Sequence, residues 1–173
     1  MDNFNIKDYN QEVQDFYAHV SDILGSVSNP SSDVKEKPSL EKYTKVIQLG
    51  DAYLYGIKGQ VGFNRDNIST ETKSIIQSII LVMHDTTLSD IPKELPEILT
   101  KKNIDYGNSF DKNVNEWGVA GIGIRISDKL SRIKSLLGTA SGLVEDESIV
   151  DTYTDLLGYL TLTANYVDYS MKA

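Results

Sequence analysis

The chain contains no cysteine, which removes thiol catalysis, disulfides and thiolate metal sites together. Histidine is almost as scarce, with His19 and His84 the only two in 173 residues. His84 closes an apolar helical run and reads as a structural residue; His19 reads as a surface one. No stretch is apolar enough to span a membrane. Met1-Asp-Asn-Phe-Asn has neither the basic nor the apolar region of a signal peptide, so a cytoplasmic location is expected. The Asn67-Ile-Ser69 sequon is then a chance occurrence. Two glycine-rich stretches also lack chemistry. Gly118-Val-Ala-Gly121-Ile-Gly123 has no Gly-Lys-Ser/Thr ending for a phosphate loop, and Gly138-Thr-Ala-Ser-Gly142 does not have nucleophile-elbow spacing.

What is present is a chain with 40% hydrophobic residues, enough to bury a core in one domain. Net charge is −8 and the sequence pI is about 4.7, which argues against a general nucleic-acid binder. The charge is uneven. Between Lys101 and Leu137 seven basic residues stand against four acidic ones, so that segment is +3 and the remainder −11. A small basic island in an acidic protein suits a compact anion better than a nucleic-acid strand.

Hydrophobic spacing predicts helices throughout, hence an all-α bundle. Residues 7–25 carry Val13, Phe16, Tyr17, Val20, Ile23 and Leu24 at helical spacing. A linker rich in Ser, Pro, Asn and Lys follows to Pro38, dividing an N-terminal helix and linker (1–38) from the main domain (39–173). The first helix reads as an arm that docks on a partner subunit. Ser39 caps a second helix to about Tyr55, where Gly56, Gly59 and Gly62 break it. Ser69-Thr-Glu-Thr opens a third, expected to be the central core helix through Ile75, Ile76, Ile79 and Ile80. Pro92 and Pro96 frame a short helix from Lys93 to Lys102, and residues 103–118 read as a loop with a turn at Asp105-Tyr106-Gly107-Asn108. Val119 to Ile126 alternates like a strand, yet the charged residues beyond keep helical spacing, so it is assigned to a helix.

Two charged clusters dominate the last third. In the first, Arg125, Asp128, Lys129 and Arg132 fall within an arc of about 100° on a helix, beside the apolar Ile122, Ile126, Leu130, Ile133 and Leu137. In the second, Glu147, Asp151 and Asp155 stack at one-turn intervals, with Ile149, Tyr153, Leu156, Leu160 and Val167 opposite. Each like-charge pair one turn apart costs roughly 0.2–0.5 kcal/mol. The row calls for compensation by the neighbouring Arg and Lys, by a divalent metal, or by both. Oxygen-only ligands suit Mg²⁺, with Asp128 adding a carboxylate from the facing helix. Arg125, Lys129 and Arg132 then supply positive charge for polyphosphate. A solvated acidic face has the same spacing, and Glu147 in a first turn is favoured by the helix dipole alone. Lys102, Tyr106, Phe110 and Trp117 add a second pattern: aromatics near a basic island that stack a base, or a Trp117 that plugs the core beside the glycines.

Three blocks occur in order: Lys101-Lys-Asn-Ile-Asp105-Tyr106-Gly107-Asn108-Ser-Phe110, Gly121 through Arg132, and Glu147 through Tyr159. Together they resemble the nucleotide modification associated domain 1 family of bacteriophages. More distantly they resemble the all-α MazG-like nucleotide pyrophosphohydrolases and the dimeric dUTPases. The resemblance spans roughly the last 75 residues and does not extend to residues 1–90. It implies a MazG-like α-helical fold, a homo-oligomer, a nucleotide ligand and Mg²⁺ between two helices, in the host cytoplasm if the protein is viral. MazG-like enzymes hold the metal with an E-x-x-E and an E-x-x-D pair. Here Arg125 and Asp128 occupy the first pair, and in the second Asp155 is retained while its partner acid has moved to Asp151.

The leading functional expectation is therefore an Mg²⁺-dependent nucleoside triphosphate pyrophosphohydrolase. Asp128, Glu147, Asp151 and Asp155 hold the metal, Glu147 and Asp151 carry catalysis, and Lys102, Tyr106, Arg125, Lys129 and Arg132 bind the nucleotide. The arginine in place of an acid supports an alternative, a protein that binds and sequesters a nucleotide without cleaving it. A third reading is a purely structural or protein-interaction role, with the N-terminal helix as contact element.

Overall fold

The computed structural model describes residues 3–25, 35–58, 65–138 and 146–170. The linker residues 26–34, the glycine loop 59–64 and the connection 139–145 lie outside them. The described residues form seven α-helices and no strand, the all-α bundle expected. None of these helices is long and apolar enough to cross a membrane.

A 3-10 turn, Ile6–Asp8, precedes α1 (Gln11–Gly25). Phe16, Val20, Ile23 and Leu24 of α1 are buried, and the helix packs on α4 (Ile91–Asp105) and α7 (Asp146–Asn165) of its own chain. The apolar stripe expected to meet a partner subunit is thus covered from within. Residues 35–38 are pinned separately, by a Glu36–Thr86 bridge and a Lys35–Asp90 ion pair.

Several helix boundaries depart from the sequence expectation where glycine, proline or polar composition was read as a break. α2 (Leu40–Lys58) runs through Gly56, and α3 (Arg65–Val82) begins before Ser69. α4 starts at Ile91 with Pro92 in its first turn and carries Pro96 inside. Pro92 lacks a donor that would have had no intrahelical partner, whereas Pro96, the sixth residue, removes one bond to the Pro92 carbonyl. The expected 103–118 loop holds α5 (Ser109–Trp117) instead, reached through the Tyr106–Asn108 turn with Gly107 and Asn108 in the left-handed region. α6 (Val119–Gly138) is helical from its first residue.

The central helix is α7 rather than α3: it touches α1, α3, α4 and α6. Ile149, Tyr153, Leu156, Leu160 and Val167 are all buried, as their spacing predicts. α2 and α6 approach closely at Gly50, where an added Cβ would lie 2.6 Å from Leu130 Cδ2. α7 ends in a π-helical turn, Tyr166–Ser170. It sends the Tyr166 hydroxyl to Asn115 Oδ1, Asp168 to Ser69 and Lys73, and the Tyr169 ring onto His19.

Candidate functional site

α4 and α7 approach closely because α7 carries Gly158 at their contact; a Cβ there would stand 3.2 Å from Leu99 Cδ2. Beside this contact, α4, α5, α6 and α7 enclose a cavity of about 330 Å³. Leu95, Leu99 and Leu162 form its apolar floor. Phe110 and Tyr159, with ring centroids 6.3 Å apart and 21° between planes, form one wall. Tyr106 stands at the opening, 69% exposed.

The polar side of the cavity is built from one turn of α6, one of α7 and the end of α4. Asp155 on α7 receives Lys102 Nζ at 3.4 Å on one oxygen and Lys129 Nζ at 3.2 Å on the other. Arg125 lies one turn before Lys129 on the same stripe of α6. It donates to the Tyr159 hydroxyl at 3.4 Å and lies 5.5 Å from that ring's centroid. Lys129 is 6.0 Å from the same ring. Two lysines thus share the Asp155 carboxylate while Arg125 stands beside them against Tyr159, and the four formal charges sum to +2 at the edge of an apolar, aromatic cleft. Of the compensations open to the acidic row, the one seen at Asp155 is lysine.

The other predicted site residues lie elsewhere. Asp128 is exposed and lines a separate groove with Leu54, Lys58 and Ile124. Residues 128 and 129 are about 100° apart on a helix, so Lys129 turns to α7 while Asp128 turns toward α2. Asp151 and Arg132 are exposed. Glu147 stands in the first turn of α7, and its side chain lies outside the described residues. Among the described residues no three acidic or histidine side chains come close enough to hold a metal ion. Trp117 is 65% exposed and plugs nothing. Tyr159 and Gly158 were not anticipated as site residues. Tyr159 had a signal, since it stands one turn beyond Asp155 on the same stripe of α7.

No family model, no curated protein and no solved structure matches this chain.

Proposed function

We propose that the cleft between α4 and α7 binds a small phosphorylated nucleotide and that the chain holds this ligand without cleaving it. The observation that carries the reading is the meeting of Lys102, Arg125 and Lys129 at the edge of a cavity with a leucine floor and a Phe110–Tyr159 wall. Guanidinium and ammonium groups supply charge-assisted hydrogen bonds to phosphate oxygens. Tyr106 and Tyr159 supply ring faces for a base. The local excess of +2 matches the dianionic phosphate of a nucleoside monophosphate. A cavity of about 330 Å³ lies at the small end of ligand sites.

The donor set fits magnesium poorly. Among the described residues Asp155 is the one carboxylate lining the cleft, and both its oxygens already face ammonium groups. A row of acids at one-turn intervals also spreads too far: residues 147 and 155 are eight apart, about 12 Å along a helix axis. Mg²⁺ demands ligands at about 2.1 Å, so one ion cannot collect the whole row. No step through a metal is derived.

The test is a thermal-shift screen of nucleoside mono-, di- and triphosphates and cyclic nucleotides, with and without Mg²⁺, followed by calorimetry and chromatography of each hit. A monophosphate is expected to bind without Mg²⁺ and to be recovered intact. Arg125→Ala is expected to weaken it at least about tenfold, the loss of a charge-assisted hydrogen bond. Pyrophosphate release from a triphosphate would replace this reading with the hydrolase, and silence across the whole panel would remove both.

A further inference from the structure

A groove of about 520 Å³ runs between α2 and the first half of α6, with Leu54 on one bank and Ile124 on the other. Ile124 is 63% exposed, and apolar surface continues beyond both banks. On α2, Tyr55 is 82% exposed and neighbours Asp51 and Lys58 on the helix surface. On the other side the exposed Trp117 reaches α6 at Gly121, where an added Cβ would lie 3.4 Å from the Trp117 Cβ. Gly121 is in turn the neighbour of Ile124. Gly123, in the groove itself, has nothing within 4 Å of its Cβ position, so packing within its own chain does not call for a glycine. A continuous exposed apolar surface of this kind marks an interaction face.

The charges at the groove say which partner fits. Among the described residues its only ionisable lining is Lys58 from α2 and Asp128 from α6, and neither makes an ion pair. The two helices run antiparallel. Leu130 meets Gly50 and Lys134 pairs with Asp51 at 3.0 Å, while Lys58 shares the groove with Val119 and Ala120. Counting eight residues on from Gly50 sets Lys58 level with about residue 122, so Asp128 stands roughly 9 Å away along the axis. One charge of each sign thus sits toward each end of an apolar groove.

That pattern is complementary to itself. In a two-fold dimer the same patch faces its own copy, and each contact occurs twice. A two-fold axis crossing the groove between Lys58 and Asp128 lays two grooves head to tail and brings each lysine to the other copy's aspartate. An axis running along the helices would set lysine on lysine instead. Charge also limits where two copies can meet, because each carries −8 and they repel over most orientations. Here the local sum is zero, from Lys58 with Asp128 and from the Asp51–Lys134 pair beside them.

We infer that the α2–α6 groove is the interface with a second copy of this chain, Ile124 and Leu54 meeting their counterparts and Lys58 pairing crosswise with Asp128. The face is distinct from the nucleotide cleft, which Arg125 and Lys129 address from the α7 side of α6, and the two readings stand independently.

The test is sedimentation velocity of the full chain without nucleotide, from about 1 to about 300 µM. The mass is expected to rise with concentration from monomer toward dimer. Ile124→Asp, at an exposed position, should weaken association at least about tenfold and leave the melting temperature of the dilute chain unchanged. Lys58→Asp sets acid against acid twice in each dimer, and Asp128→Lys sets lysine against lysine, so each should weaken it about tenfold at low salt. The double reversal Lys58→Asp/Asp128→Lys restores both crosswise pairs and should return affinity to within about threefold of wild type. A chain monomeric at every concentration would overturn the assignment and leave the groove to a partner of another sequence. So would a dimer indifferent to Ile124→Asp, or single reversals that the double reversal does not rescue.

Discussion

Replacing Asp155 with asparagine separates the two readings of the cleft, because they predict changes of opposite sign. The side chain is 33% exposed and holds Lys102 and Lys129 at 3.4 and 3.2 Å. In the empty protein, Asp155→Asn breaks two part-exposed ion pairs, each worth between zero and about 1 kcal/mol, and leaves two ammoniums facing each other. A stability loss of about 1 kcal/mol follows, lowering Tm by about 2–4 °C for a domain of this size.

In the liganded protein the carboxylate is a competitor. A phosphate that takes the two lysines lies within about 6 Å of Asp155. The repulsion there is between about 1 kcal/mol in water and about 3 kcal/mol at an effective dielectric of 20. Exposure puts the pair near the lower figure, so removing the charge tightens phosphate binding by about 1 kcal/mol, or about fivefold. The assay is calorimetry of wild type and variant with the selected monophosphate at low and physiological salt, where the gain shrinks as screening rises. Binding weakened by Asp155→Asn, or a requirement for Mg²⁺ in the wild type that the variant loses, would make Asp155 a metal ligand and refute the reasoning.

Three further predictions concern the frame that holds the cleft. The Tyr153 hydroxyl is buried with no hydrogen-bond partner, so Tyr153→Phe is expected to stabilise the fold by about 1 kcal/mol in urea unfolding, with the slope unchanged. Gly50→Ala adds a Cβ 2.6 Å from Leu130 Cδ2 in the core. Overpacking of about 1–3 kcal/mol outweighs the roughly 1 kcal/mol gained by removing a helical glycine, and Leu130→Ala in the same background should shrink the difference. Burial pushes the Tyr53 and Tyr153 hydroxyls well above their ordinary value of 10.0, so above that pH the unfolded chain loses protons that the folded one keeps. Stability should fall as pH rises past 10, by up to about 1.4 kcal/mol per pH unit for each tyrosine, and less steeply in Tyr153→Phe; a flat profile in alkaline denaturant titrations would count against it.

Periodicity was a good guide wherever a helix buries a continuous stripe. Val119 to Ile126 alternates like a strand, which would place residues 122, 124 and 126 on one side. Instead Ile122 and Ile126 are fully buried and Ile124 is exposed, the signature of a 3.6-residue repeat. α5 was overlooked because its composition is polar, although Phe110 and Val114, both buried, stand one turn apart. The Lys93–Lys102 helix was expected to include Pro96, and α4 does so while extending to Ile91 and Asp105 at its ends. At the site, the need of the acidic row for a positive partner was legible at Asp155. The partner from α4, Lys102, was named only as a phosphate ligand, since spacing says nothing of which helices meet. Asp128 was misplaced for a related reason. A stripe of about 100° has two edges, and only contact with a neighbouring helix decides which edge faces which partner.

The same locality bears on what the cleft can recruit. The chain as a whole is −8, so a long polyanion approaching the cleft meets net repulsion from the rest of the protein. At physiological salt, charges beyond about 8 Å are largely screened, and within that radius a ligand phosphate sees Lys102, Arg125 and Lys129 against Asp155. A compact anion stays inside this favourable zone, whereas a nucleic-acid strand extends past it, where the net charge of the chain is negative. Raising salt therefore has opposite consequences for the two kinds of ligand. It weakens a mononucleotide, whose contacts are attractive, and relieves the repulsion of an oligonucleotide. A steep loss of oligonucleotide affinity with salt, the mark of counterion release by a true nucleic-acid site, would show instead that the cleft is one end of a longer basic track.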